Sequence, residues 1–64
     1  MKKTIIGNNK YVFEEGITKI YCYKDRFQGL TRVWIYKIEI HGSVEAGYLA
    51  HLIRKVKKEL GGII

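Results

Sequence analysis

The chain contains no proline, one cysteine and one methionine, and its acidic residues are few. Each shortage excludes something. Without proline there is no cis-prolyl turn and no polyproline segment. A lone cysteine, Cys22, cannot form a disulfide within the chain; in a strand it behaves as a small hydrophobe and fits a reducing compartment. Cys22, His41 and His51 are the soft metal ligands available, and their spacing matches no compact zinc motif, so neither metal nor other cofactor is expected. No long apolar run occurs. The opening MKKTIIGNNK holds two consecutive apolar residues, too few for a signal-peptide core or a membrane span, which leads to the expectation of a cytoplasmic protein with no membrane partner.

What remains is short and basic. Sixty-four residues suffice for one domain, residues 1–64, which buries roughly 60% of the surface its unfolded chain exposes. Stability at that size calls for reinforcement, and with disulfide and metal excluded, oligomerisation is the remaining means. Twelve Lys and Arg against six Asp and Glu give a formal charge of +6. Such an excess attracts polyanions; it also serves simply to keep a small protein dispersed.

The stretch from Ile17 to Ile40 organises the chain. ITKIYCYKD, RFQG and LTRVWIYKIEI read as two long strands, with Asp25 to Gly29 as their turn. Before them, Lys2–Ile6 and Lys10–Glu14 form a short hairpin around Gly7-Asn8-Asn9, residues that tolerate positive φ, and Glu14-Glu15-Gly16 is the next turn. After them, Ser43 is the expected helix N-cap and Glu45 suits the positive end of the dipole. Leu49, Leu52, Ile53, Val56 and Leu60 form one apolar stripe with Tyr48 at its border, and Gly61-Gly62 stops the helix. Gly47 lies inside it, where close approach to a sheet would explain a residue unfavourable to helices. The expected architecture is α+β: an antiparallel β-meander of three to four strands with one C-terminal α-helix packed on one face.

In the second long strand, Val33 and Ile35 point to one face and Trp34, Tyr36, Ile38 and Ile40 to the other; in the first, Ile20 and Cys22 oppose Ile17, Tyr21 and Tyr23. A four-residue loop would place Tyr21 and Tyr23 with Trp34 and Tyr36, and a three- or five-residue loop would place Ile20 and Cys22 there. Either way both faces carry large apolar groups near the middle, one helix covers one face, and a homodimer is expected to cover the other. Trp34, the largest ring, is expected in the core.

Two surfaces are candidates for function. On the helix, His51, Arg54, Lys55 and Lys58 recur at i, i+3, i+4 and i+7, which stacks them on one side, suited to phosphates or to plain solvation near a helix C-terminus. On the long hairpin, Lys19, Tyr21, Tyr23, Lys24, Arg26, Arg32, Trp34 and Lys37 interleave rings with cations, as a surface that stacks bases and holds a backbone would. Phe27, at the expected loop tip, adds a contact residue. Catalysis finds no support: His41 near Ser43 lacks a positioned carboxylate and an oxyanion loop, and a chain this short rarely encloses a pocket of roughly 300 Å³ or more. The expectation is a non-enzymatic module binding nucleic acid, DNA foremost. Lys19, Lys24, Arg26, Arg32 and Lys37 would contact phosphates, Tyr21, Tyr23 and Phe27 would stack or wedge, and Arg54, Lys55 and Lys58 would assist. The alternative is a protein-interaction module or small regulator docking by an apolar sheet face or an edge strand.

The run Tyr21-Cys22-Tyr23-Lys24-Asp25, followed by a polar loop, a strand and a C-terminal helix, loosely resembles the N-terminal arm-binding domains of tyrosine recombinases. That resemblance implies a three-stranded sheet with a helix that binds DNA through the sheet. It covers about half the chain, and LTRVWIYKIEI departs from it in being longer and more apolar.

Overall fold

Four antiparallel strands, β1 (Lys2–Gly7), β2 (Lys10–Glu15), β3 (Thr18–Gln28) and β4 (Val33–His41), pair in sequence order, and one helix, α1 (Ala46–Leu60), crosses one face of the sheet. The structure, a computed structural model, describes residues 1–64. Short connections enforce this order, because a strand that turns within a few residues can only pair with its predecessor. No helix is long and apolar enough to cross a membrane.

The β2–β3 turn is Gly16-Ile17 rather than Glu14-Glu15-Gly16: Glu14 and Glu15 stay in β2, paired with Lys19 and Thr18, and Gly16 takes φ +59°. A glycine with positive φ at the first central position gives a turn whose twist matches that of the strands. Ile17, grouped above with Tyr21 and Tyr23, instead lies at the exposed tip of this turn. At the β1–β2 turn neither Asn8 nor Asn9 adopts positive φ; a register shift at Ile6 accompanies the turn instead.

The β3–β4 hairpin departs most from expectation. Its turn is Gly29–Arg32, with Gln28 paired to Val33, and Asp25 belongs to the strand as the extra residue of a β-bulge between Lys24–Tyr36 and Arg26–Ile35. A four-residue loop alone would have put Tyr21 and Tyr23 beside Tyr36. The bulge adds one residue to β3 and reverses the outcome, so Cys22 pairs with Ile38 and Ile20 with Ile40.

Ile20, Cys22, Ile38 and Ile40 therefore face α1 together. The core is Phe13, Ile20, Cys22, Tyr36, Leu52 and Val56, with Tyr11, Ile38, Ile40, Val44 and Leu60 packed around it. Burial pushes the Cys22 thiol up to about 11 and raises the Tyr36 phenol, whose ionisation Tyr11 and Cys22 also oppose. The face away from α1 carries Val12, Tyr21, Tyr23 and Ile35 among charged residues, so large apolar and aromatic groups do stand on the side that the helix leaves uncovered.

Three further expectations are corrected. The N-cap position is Glu45, not Ser43, and no side chain caps the helix; the first turn of α1 holds no acidic residue. Gly47 faces open space, where an added Cβ would meet nothing within 4 Å, so sheet packing does not explain it. Trp34 lies outside the core and is 36% exposed. The helix end does follow the sequence: Gly61 adopts φ +66° and its N–H donates to the Lys57 carbonyl. The chain then turns back to the β4 edge, where Ile63 N–H donates to Trp34 O (3.0 Å) and Tyr36 N–H to Ile63 O (2.8 Å).

Candidate nucleic-acid interface

The register sorts the site residues onto distinct surfaces. On the open sheet face, Lys10, Tyr23 and Lys37 stand directly across three strands from one another. The Lys10 ammonium lies 5.6 Å from the Tyr23 ring centroid, within reach of the ring's negative face. The next row holds Val12, Tyr21 and Glu39, and the one beyond it Glu14, Lys19 and His41. Tyr21 meets the His41 ring edge-on at 4.9 Å, and His41 Nε2 lies 2.7 Å from Glu39 Oε1. Toward the hairpin tip, Arg26 pairs with Ile35, and Asp25 reaches Lys37 at 3.9 Å, an exposed ion pair that contributes little to stability. Tyr21 and Tyr23 are half-buried; Lys19, Arg26 and Lys37 are exposed.

Lys10 is absent from the residues singled out by sequence, although its position was legible there. Once Gly16-Ile17 is taken as a two-residue turn, counting back from Glu15–Thr18 sets Lys10 opposite Tyr23.

Lys24 and Phe27 do not join Tyr21 and Tyr23. They lie on the opposite face with Trp34: Lys24 Nζ is 5.1 Å from the Trp34 ring centroid, and Phe27 meets Trp34 edge-to-face at 5.5 Å and 70°. Phe27 is a strand residue rather than a loop tip, and 53% exposed. The turn itself presents Leu30, 98% exposed, and Arg32, whose φ of +56° is uncommon for a residue with a Cβ.

The helix flank forms a third surface. Lys55 and Lys58 line a recess of about 370 Å³ with Met1, Lys3, Phe13 and Glu59, on the α1 side of the sheet. Arg54 is exposed on the same helix. Because α1 packs on the face opposite Tyr21 and Tyr23, the sheet separates these cations from the open-face set. A second recess of about 630 Å³ lies at the other end of the strands, between the Gly16-Ile17 turn and the start of α1.

The reactive groups stay apart. Cys22 is sealed in the core, and no three His, Cys, Asp or Glu side chains come together as a metal site would need. Comparison with protein-family models, with curated proteins and with solved structures finds no match for this chain.

Proposed function

We propose that the protein is a non-enzymatic nucleic-acid-binding module, with DNA as the first ligand to test, and that its open sheet face carries the phosphate contacts. The row Lys10–Tyr23–Lys37, a ring set between two cations across three strands, is the observation that supports it most directly. Lys19 and Arg26 extend the cationic surface to either side, and Tyr21 and Tyr23 offer flat groups between them. The helix cations act as a separate, sequence-independent attraction on the other side of the molecule.

The magnitude follows from counterion release. Four phosphate contacts, from Lys10, Lys19, Arg26 and Lys37, correspond to a slope of roughly −2.8 to −3.6 in log affinity against log salt, so binding should weaken roughly 50- to 150-fold between 50 and 200 mM salt. A mobility-shift titration with short single- and double-stranded DNA and RNA at those two concentrations measures this. Replacing Lys10 and Lys37 together with Ala should flatten the slope by about 1.5 to 2. Affinity that barely responds to salt rules this function out.

A protein partner is the competing reading, favoured by the almost fully exposed Leu30 at the hairpin turn. A partner that depends on Leu30 and binds independently of Lys10 and Lys37 would establish it.

A further inference from the structure

β2 ends where Lys10 pairs with Tyr23, with one further bond from Lys24 N–H to Asn9 O. Beyond that point β3 and β4 continue as a two-stranded ribbon, with Ile63 alongside β4 at Ile35. The Asp25 bulge determines what this ribbon presents. With the core register kept and no bulge, Phe27 would fall on the open face with Tyr21 and Tyr23, away from Trp34. The extra residue turns Phe27 to the Trp34 face and sets it directly across from Trp34. Two large rings thus sit together on a projecting ribbon, 53% and 36% exposed, with the Lys24 ammonium over the indole and Arg26 and Arg32 nearby in sequence.

We propose that this ribbon stacks an unpaired base on the exposed Phe27 ring beside Trp34, so that the preferred ligand is single-stranded nucleic acid. The proposal rests on the nucleic-acid reading above and names its substrate class. In a duplex the base faces are already occupied by neighbouring bases, and a protein in a groove meets base edges, which are read by hydrogen bonds. Phe27 has no hydrogen-bonding group and Trp34 has one donor. In a duplex these rings could act only by prising a step apart, at the expense of base stacking. An unpaired base offers its face freely, and aromatic side chains stack on any base with little regard to sequence. The cations at Lys24 and Arg32 supply the accompanying attraction for the backbone.

Trp34 is the only tryptophan, so its emission reports on this ribbon alone. The full chain is titrated at low salt with fluorescently labelled oligo-dT of about twelve nucleotides and with a duplex of the same length, following both label anisotropy and Trp34 emission. The expected result is quenching of Trp34 by the single strand and affinity about tenfold above that for the duplex. Phe27→Leu, with folding checked by circular dichroism, should weaken single-strand binding about five- to tenfold, leaving duplex affinity and the salt slope unchanged. Equal or tighter duplex binding, or an unresponsive Trp34 emission, overturns the proposal while leaving the open-face reading intact. Failure to bind either form removes both. The wild-type comparison decides the matter even if the variant misfolds.

Discussion

Replacing Gly62 with Ala tests how the chain end is held against the sheet. An added Cβ would lie 2.5 Å from Tyr36 Cε2, 2.9 Å from Tyr36 Cδ2 and 2.7 Å from the Trp34 carbonyl oxygen. None of the three can yield cheaply. The Tyr36 ring belongs to the core, and the Trp34 carbonyl already accepts the Ile63 N–H. The segment must therefore lift away from β4. Lifting breaks the two bonds that Ile63 makes with Trp34 and Tyr36, each contributing about 0.5–1.5 kcal/mol net, and it uncovers part of the Tyr36 ring. A loss of about 2–3 kcal/mol is expected, comparable to the usual consequence of overpacking. For a domain of this length, whose total stability is on the order of 3–10 kcal/mol, that is a large fraction. Urea unfolding followed by Trp34 emission measures it, and hydrogen exchange at the Tyr36 and Ile63 amides localises it. An unchanged urea midpoint together with undiminished protection of the Tyr36 amide would refute this close packing of the chain end on β4.

Gly47→Ala is the companion test: an added Cβ there meets nothing within 4 Å, so the variant should be more stable by about 1 kcal/mol, read as a higher urea midpoint with unchanged slope. Alkaline pH should destabilise the fold through Cys22. The thiol is held protonated to about 11 in the native state but ionises from its ordinary 9.0 when unfolded. Below pH 9 both states keep the proton and the full stability is present; above it only the unfolded chain gains by ionising, so stability falls as pH rises through this window. Between pH 8 and pH 10 the loss should be about 1.3 kcal/mol, and Cys22→Ala should remove that part of the pH dependence; an identical decline in the variant would exclude Cys22 as its source. Tyr36, raised for the same reason, acts in the same direction from its usual 10.0 upward.

The fold and the candidate site differ in what makes them readable. Leu52 and Val56 are fully buried and Leu49, Ile53 and Leu60 partly so, because 3.6-residue periodicity is a property of consecutive residues and holds wherever the helix comes to lie. The Gly16-Ile17 turn and the glycine end of α1 are equally local, since both express φ values that a Cβ resists. The site residues Lys19, Tyr21, Tyr23, Arg26 and Lys37 share the open face through strand alternation and register together. Lys24 and Phe27, expected on that same surface, belong instead with Trp34, and Arg54, Lys55 and Lys58 lie beyond the sheet. Lys24 follows Tyr23, so alternation within β3 alone sends it to the other face, whereas Phe27 reaches that face through the bulge, a pairing property.

A meander with a C-terminal helix is written into the order of the residues, because strand alternation, turn glycines and helical periodicity all act within a few positions of where they occur. The entry of Asp25 into β3 as a bulge arises only when the strands pair. A bulge is a disagreement between two strands about how many residues separate a turn from a core, and neither strand carries it alone. That one residue lets a core register with Ile20 and Cys22 toward the helix, and Tyr21 and Tyr23 among the lysines of the open face, coexist with a tip register that sets Phe27 across from Trp34. The packing of Leu52 and Val56 against Phe13, Ile20 and Cys22 favours that register over its neighbour, since a shift of one residue would replace Ile20 and Cys22 with Lys19, Tyr21 and Tyr23.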